Sequence, residues 1–428
     1  EGKNISIKLL QISDGIFISF DVTPLGAIFG LVASVLWIFA AIYSVGYMRG
    51  NQEKNQTRFY TYYAIAVHAA LCIAYSGDLL TLFIFYEVLT FSTYPLVTHK
   101  QNELALKAGR LYMSILVGSS VIFLLPAIIW VWILTGSLEM SKHGVLDGYL
   151  NYEHAPYLLA MFAFGIGKAA LIPIHKWLPA AMVAPTPVSA LLHAVAVVKA
   201  GVFTMLLVLT NVFGIDFLSK TGASIWLIWL ASFTLLITSI IAVYKDDIKA
   251  RLAYSTISQL SYITLGGALA SATATQGAIL HIVTHAAGKI TFFFVAGAIY
   301  VGAKISKISE LNGHGKSMSL MLLAFFIASL SIIGVPPMAG SWSKFFLMLG
   351  AAESGYLFVL IVFSISTILN AYYLMEIPAR AFFLKKEKEI KVKIPVLITI
   401  PTLCTCLLTI ILFFAFEPFQ NLTSIMVK

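Results

Sequence analysis

Three ionisable side chains, His281, His285 and Lys289, are spaced four residues apart in the apolar stretch HIVTHAAGKITFFF. In a helix, steps of four keep side chains close to one line, and these three span about 12 Å of rise. Histidines at this spacing can ligate zinc or haem, but no third ligand lies nearby and a lysine takes the next position. Imidazole and amine groups in a row can also pass protons. The pattern therefore favours a proton relay over a metal or cofactor site.

The surrounding composition is that of an integral membrane protein. The 428 residues are 59% hydrophobic and only 11% charged, whereas soluble domains carry about 25% charged residues. Counting about 20 apolar residues as one span predicts an all-α, polytopic fold with about twelve transmembrane helices. The predicted spans lie near residues 24–48, 59–77, 79–98, 108–134, 157–172, 186–213, 224–244, 252–270, 275–300, 318–348, 355–379 and 394–416.

Two of these regions contain helix-breaking sequence. The stretch 171–190 carries four prolines, and the stretch GVPPMAGSWSK at 334–344 carries Pro336 and Pro337. Proline removes a backbone donor and kinks helices. Within a membrane, such breaks persist only where protein or water covers the freed backbone groups. Broken helices at corresponding positions of two halves predict an ion pathway.

The basic residues predict the topology. Most lie in alternate loops, namely Arg49, Lys54, Arg58, Lys100, Lys107, Arg110, Lys176, Lys245, Lys249, Arg251, Lys304, Lys307, Lys316, Arg380, Lys385, Lys386, Lys388, Lys391 and Lys393. The opposite side has only Lys3, Lys8, Lys142, Lys220 and Lys428. The positive-inside rule places the first set in the cytoplasm and the C-terminus outside. We expect a multi-pass protein of a bacterial inner membrane. A net charge of +9 spread over short loops does not indicate nucleic-acid binding.

Some ionisable residues remain inside the predicted spans. Each charge near a helix centre costs roughly 2.5–3.5 kcal/mol, so these groups must be paired, hydrated or deprotonated. A buried lysine beside a carboxylate can load and release a proton. The candidate proton-translocation residues are therefore Glu87, Lys168, His193, Lys199, His281, His285, Lys289 and Lys344.

Simpler interpretations remain for some of them. Glu87 is the one carboxylate deep in a span, and Lys168 is its natural partner. The two could form a static ion pair that locks two helices together. Lys344 follows the second break and could be an interfacial anchor.

Four ordered motifs resemble a known family across nearly the whole chain. They are HKWLPAAMVAPTPVSALLHAVAVVKAG (175–201), DDIKARLAYSTISQLSY (246–262), HIVTHAAGK (281–289) and IGVPPMAGSWSK (333–344). They resemble the antiporter-like membrane subunits that Mrp-type cation/proton antiporters share with respiratory complex I and membrane-bound hydrogenases. The loop ELNGHGKSMSL (310–320) and Lys344 look most similar to the D-type subunit of Mrp antiporters.

The resemblance implies two inverted five-helix repeats, each with one broken helix and one proton half-channel, here at about 59–213 and 224–379. Residues 1–58 would form an N-terminal segment with one helix, and 380–428 a basic cytoplasmic loop and last helix. Glu87 and Lys168 match the family's switch pair, the other candidates its lateral relay, and Lys344 the terminal position. The family has about fourteen helices, so we expect two more to precede Glu1.

The resemblance implies a proton-translocating subunit of a multi-subunit Na⁺/proton antiporter, with other subunits, protons, Na⁺ and the lipid bilayer as partners. The alternative is a proton-pumping membrane subunit of a complex I-like NADH–quinone oxidoreductase or a membrane-bound hydrogenase. A third interpretation is a scaffold whose polar residues only hold helices together. No nucleotide, flavin or quinone motif is present, so we expect no cofactor and no catalytic chemistry in this chain; any redox step would belong to partners.

Overall fold

A short β-hairpin precedes the helices. The structure is a computed structural model that describes residues 5–13, 16–385 and 392–427. Strand β1 (Ser6–Ser13) pairs antiparallel with β2 (Ile16–Asp21). A search for apolar stretches of about 20 residues does not detect such short strands. The alternating β-branched residues in IFISF nevertheless favour an extended backbone. The topology predictions for Lys3, Lys386, Lys388, Lys391 and Lys428 lie outside the described residues.

The remaining described elements are helices, which confirms the all-α membrane class. In the first half they are α1 (Pro24–Gly50), α2 (Gln56–Ala74), α3 (Leu79–Val97), α4 (Glu103–Ser119), α5 (Leu125–Thr135), α6 (Ala155–Gly165), α7 (Trp177–Ala180), α8 (Thr186–Ala190), α9 (Val197–Leu207) and α10 (Ile215–Thr221). In the second half they are α11 (Ile225–Tyr244), α12 (Ile248–Ala268), α13 (Ala272–Ala303), α14 (Ser319–Ile333), α15 (Gly340–Glu353), α16 (Leu357–Phe383), α17 (Val396–Phe414) and α18 (Glu417–Val427).

Among the described residues, 9 helical segments are long and apolar enough to cross a membrane. Two of them are continuous through π-helical turns, so that α4 and α5 form one segment and α8 and α9 form another. The predicted spans near 59–77, 157–172 and 252–270 correspond to α2, α6 and α12, which are shorter or more polar. The predicted span 318–348 is divided between α14 and α15.

Short polar side chains begin several of the helices. The Asp78 carboxylate accepts a hydrogen bond from the Thr81 backbone N–H at the start of α3, at 2.7 Å. Asn102 and Asp247 begin α4 and α12 in the same way, each at 2.8 Å. Such caps satisfy backbone donors that have no partner within the helix.

The first break starts earlier in the chain than the prolines predict. Helix α6 ends at Gly165, and residues Gly167–Ala169 form a single 3₁₀ turn. Ala170, directly after this turn, has a left-handed backbone conformation with a φ of 55°. The predicted span to residue 172 is therefore too long, and Lys168 lies in the break rather than on a regular helix.

The second break lies where the prolines predict it. Helix α14 ends at Ile333, and Gly334 has a φ of 93°, a left-handed conformation that favours glycine. Helix α15 starts at Gly340 and carries Lys344.

Helix α13 is the central element of the bundle. It has 32 residues, about 48 Å of rise, and every residue from Ala274 to Ile299 is buried. It packs against α1, α12, α14, α15 and α17. Because neighbouring helices surround it, its polar side chains face protein rather than lipid.

Several of the basic loops make contacts that join loops distant in the chain. The Lys304 ammonium donates to the Asn51 side-chain oxygen at 2.6 Å, and Arg58 donates to the His99 carbonyl at 3.1 Å. The backbone N–H of Gly313 donates to the Arg380 carbonyl at 3.3 Å. These contacts gather the basic loops that they join at one end of the bundle.

Candidate functional site

Lys168 points from the first break towards α3. Its ammonium donates to the Tyr86 carbonyl oxygen at 2.8 Å and to the Thr90 hydroxyl at 2.6 Å. It also lies over the Tyr86 ring, 3.1 Å from the centroid. The side chain is fully buried. These neutral contacts hold the amine in place without neutralising its charge.

Glu87 approaches Lys168 but forms no ion pair with it. Both carboxylate oxygens are buried and have no hydrogen-bond partner among the described residues. Glu87 follows Tyr86, whose carbonyl oxygen accepts from the Lys168 ammonium, but no salt bridge joins Glu87 to Lys168. The alternative of a static ion pair therefore does not describe this site: the amine binds Tyr86 and Thr90, and the carboxylate has no hydrogen-bond partner among the described residues.

A glycine lets the Lys168 turn meet the next helix. Gly201 lies on α9 two residues after Lys199, and its α-carbon faces the backbone of Lys168 and Ala169. A Cβ at Gly201 would lie 2.5 Å from the Ala169 nitrogen. The close approach brings the first break against the helix that carries Lys199.

His193 lies in the π-helical turn Leu191–Val195 between α8 and α9. The residue is fully buried, and neither ring nitrogen has a hydrogen-bond partner in the part of the chain that the structure describes. Its ring packs against Phe293 of α13 at 4.7 Å between centroids. Buried polar atoms usually have a partner, so these nitrogens are available to water or a moving proton.

Lys199 contacts α13 directly. Its Nζ lies 2.6 Å from Nδ1 of His285, and both residues are fully buried. The other ring nitrogen of His285, Nε2, has no partner among the described residues. One nitrogen thus faces the amine, while the other can exchange a proton elsewhere.

The His281 ring is the next group along α13. It lies 5.9 Å from the His285 ring, and the two planes are 28° apart. Its Nδ1 is 2.9 Å from the Ser343 hydroxyl, and its Nε2 is 3.1 Å from the Gln259 side-chain oxygen. Ser343 precedes Lys344 on α15, so His281 joins α13 to the second break.

Lys289, the third residue of the row on α13, contacts α12. Its ammonium donates to the Ser255 hydroxyl of α12 at 2.6 Å. Ser255 also accepts a hydrogen bond from the Tyr373 hydroxyl of α16 at 2.9 Å. The three residues on α13 therefore contact different neighbours: His285 meets Lys199 of α9, and Lys289 meets Ser255 of α12. His281 lies between Gln259 of α12 and Ser343 of α15.

Lys344 lies on α15 and contacts the end of α14 across the second break. Its ammonium donates to the Ile333 carbonyl, the last of α14, at 3.0 Å and to the Thr367 hydroxyl at 3.1 Å. It lies 5.0 Å from the centre of the Tyr262 ring and is 6% exposed. A cavity of about 420 Å³ adjoins it, lined also by Trp342. An amine that caps a broken helix next to a cavity differs from an interfacial anchor, which would extend towards the membrane surface.

This arrangement can move protons by short steps. Imidazole can accept a proton at one nitrogen and release one from the other. The contacts from Lys199 through His285 and His281 to Ser343 cross the middle of the bundle. Among the described residues, no group of three or more metal-ligating side chains comes together.

Several partners of these residues do not follow from the sequence. Thr90 and Tyr86 hold Lys168, Gln259 orients His281, and Ser255 and Tyr373 hold Lys289. All five partner residues are neutral, so a search for charged residues in the predicted spans does not find them. Ser255 and Tyr373 could have been found from the polar residues that recur at spacings of three and four in α12 and α16.

The family comparison covers most of the chain. Residues 76–370 match the family described as NADH:quinone oxidoreductase/Mrp antiporter, TM. NADH-quinone oxidoreductase subunit N of Desulforudis audaxviator (strain MP104C) is 31% identical over 369 residues, which cover 85% of this chain and 73% of that protein. The putative antiporter subunit mnhA2 of Staphylococcus haemolyticus (strain JCSC1435) is 30% identical, covering 93% of this chain and 52% of that protein. The chain thus spans only about half of that second relative.

Solved structures share the fold. A chain of the Mrp complex from Dietzia sp. DQ12-45-1b superimposes with a TM-score of 0.86 at 21% identity, covering 100% of this chain and 87% of that chain. A chain of the membrane-bound sulfane sulfur reductase, an archaeal respiratory membrane complex, gives a TM-score of 0.87 at 24% identity, with the same coverage.

Proposed function

The chain belongs to the NADH:quinone oxidoreductase/Mrp antiporter transmembrane family, and from this membership we propose that it is a proton-translocating subunit of a multi-subunit cation/proton antiporter. Na⁺ is the proposed exchanged cation and other antiporter subunits are the proposed partners. The observation that carries the proposal is the 2.6 Å contact between Lys199 and His285 in the buried centre of the bundle.

Each intramembrane residue has a role in this proposal. Glu87 and Lys168 act as an electrostatic switch, because the carboxylate is unpartnered among the described residues and the amine is held only by neutral groups. Protons then pass laterally along a central path to Lys344. The residues of this path are His193, Lys199, His285, His281 and, on a side position, Lys289.

The proposal also covers organisation and location. We assign one proton half-channel to each repeat, at 59–213 and 224–379, and place the protein in a bacterial inner membrane. The end that carries the basic loops faces the cytoplasm, with the C-terminus outside. The likeness to the D-type subunit of Mrp antiporters rests on Lys344 and loop 310–320 and stays a prediction.

The experiment is Na⁺-dependent proton exchange in everted membrane vesicles from cells that express the whole operon. We expect Lys168→Ala and Glu87→Ala to abolish exchange while the complex still assembles. Retained exchange in either variant would remove the proposed role of that residue. Loss of the assembled complex instead of loss of exchange per complex would support the scaffold interpretation.

A second candidate function is favoured by the 31% identity to NADH-quinone oxidoreductase subunit N. There the same proton path would be driven by redox chemistry in partner subunits. Neighbouring genes distinguish the two, since flavin and iron–sulfur subunits indicate a redox complex and small antiporter subunits indicate an antiporter. Proton pumping that requires NADH and ignores Na⁺ would favour this candidate.

A further inference from the structure

Two polar stripes, one on α12 and one on α16, contact each other through hydrogen bonds. On α12 the stripe contains Arg251, Ser255, Ser258 and Tyr262; on α16 it contains Ser366, Thr367, Asn370, Tyr373 and Glu376. Spacings of three and four place the α12 stripe on one helix face, whereas the α16 stripe covers about half of its helix circumference. We call these nine residues the α12–α16 seam. It runs from the basic-loop end of the bundle towards Lys344.

The first contact of the seam is an ion cluster at the basic-loop end. Arg251 donates to the Glu376 carboxylate at 2.6 Å and to the Tyr373 carbonyl at 2.9 Å. Arg380 donates to the other Glu376 oxygen at 2.7 Å. Arg251 is buried, whereas 22% of the Glu376 side chain is exposed. Glu376 therefore connects the seam to the surface.

The second contact reaches Lys289. The Tyr373 hydroxyl can donate either to Ser255 at 2.9 Å or to the Asn370 side-chain oxygen. Ser255 in turn accepts from the Lys289 ammonium at 2.6 Å. The Asn370 amide nitrogen is buried and has no partner among the described residues. A tyrosine with two alternative acceptors, next to an unused donor, is able to rearrange its hydrogen bonds.

The remaining contacts lead to the second break. Ser239 of α11 bridges the helices, 2.8 Å from the Ser258 hydroxyl and 3.3 Å from that of Ser366. Beyond it, the Tyr262 hydroxyl donates to the Phe363 carbonyl at 3.3 Å and lies 3.5 Å from the Thr367 hydroxyl, which accepts from Lys344 at 3.1 Å. From Arg251 to Tyr262 the seam rises about 16 Å, roughly half the hydrocarbon thickness of a bilayer.

We propose that the α12–α16 seam is a transverse proton branch that joins the basic-loop end at Glu376 to Lys289 and Lys344. This inference rests on the proposed function and gives the second half of the chain its own opening towards the basic loops. Tyr373 transfers the proton between Ser255 and a water molecule bound at Asn370. The lateral path and this branch meet at Lys289.

The transfer balances without leaving a charge on a hydroxyl. A proton moves from the Lys289 ammonium to the Ser255 oxygen as the proton of Ser255 moves to the Tyr373 oxygen. The original Tyr373 proton passes to the water at Asn370. Lys289 is left neutral, the water carries the charge, and both hydroxyl groups are restored.

The test is Tyr373→Phe in the complete complex, measured as Na⁺-dependent proton exchange per assembled complex in everted vesicles. We expect exchange to fall at least roughly tenfold, as for loss of a group that transfers protons. Tyr63→Phe is the matched control, because Tyr63 is a buried tyrosine of α2 whose hydroxyl has no partner in the described structure. We expect it to keep wild-type exchange.

A second pair of variants separates proton transfer from packing. Ser255→Ala should reduce exchange as Tyr373→Phe does, and Ser255→Thr should restore it because it keeps the hydroxyl. The branch is overturned if Tyr373→Phe or Ser255→Ala retains wild-type exchange, or if either lowers only the amount of assembled complex. Absence of exchange in the wild-type complex would instead refute the proposed function.

Discussion

Lys199 and His285 are 86 positions apart in the chain, yet their side-chain nitrogens lie 2.6 Å from each other. Lys199 belongs to α9 in the first predicted repeat and His285 to α13 in the second. Both are fully buried. A contact of this length between two basic groups is stable only if at most one of them is positively charged, so the pair is suited to passing a single proton between the repeats.

Thr90 is expected to hold Lys168 in its active position. Thr90→Val removes one of the two neutral acceptors of the ammonium and keeps the shape of the side chain. A hydrogen bond to a charged group is worth about 1.5–3 kcal/mol, so we expect exchange per assembled complex to fall roughly tenfold or more. Thr90→Ser keeps the hydroxyl and should retain most of the rate; equal rates in the two variants would contradict this role.

Glu87→Gln is expected to separate stability from transport. Both carboxylate oxygens are buried without a hydrogen-bond partner among the described residues, and burial of an unpartnered charge is costly. Removing the charge should therefore leave the thermal unfolding temperature of the complex unchanged or higher, while proton exchange is lost. A destabilised complex with normal exchange per assembled copy would show that the carboxylate is structural.

Gly201→Ala is expected to destabilise the first break. The added methyl group would collide with the backbone of Lys168 and Ala169, and such overpacking costs about 1–3 kcal/mol. Gly118→Ala on α4 is the matched control, because a Cβ there meets nothing within 4 Å. Thermal unfolding of the purified complex should show a lower midpoint for the first variant only. An unchanged midpoint in Gly201→Ala would mean that the turn can move away.

Composition and prolines are enough to predict the membrane class and the approximate positions of both breaks. They do not predict that α6 ends at Gly165, because the turn at Lys168 depends on contacts with α3 and α9. The hairpin is missed by a search for transmembrane stretches because its strands have only 8 and 6 residues.

The charges of the candidate residues identify them in the sequence, but their partners cannot be found in the same way. The spacing of His281, His285 and Lys289 predicts one line, whereas Lys289 faces Ser255 and the two histidines face Lys199 and Ser343. A helical drift of about 80° over eight residues is enough to divide the row between neighbours. Which neighbour each side chain meets is decided by helix packing, which one sequence does not contain.

The most direct measurement of lateral proton transfer is Na⁺-driven proton exchange in vesicles that contain fully assembled complexes of four forms: wild type, Lys199→Ala, His285→Ala and the double variant. If the two residues form one step, each single variant should lose at least roughly tenfold in rate, and the double variant should be no slower than the slower single. Wild-type exchange in the double variant, at wild-type assembly, would show that protons do not pass between the repeats through Lys199 and His285.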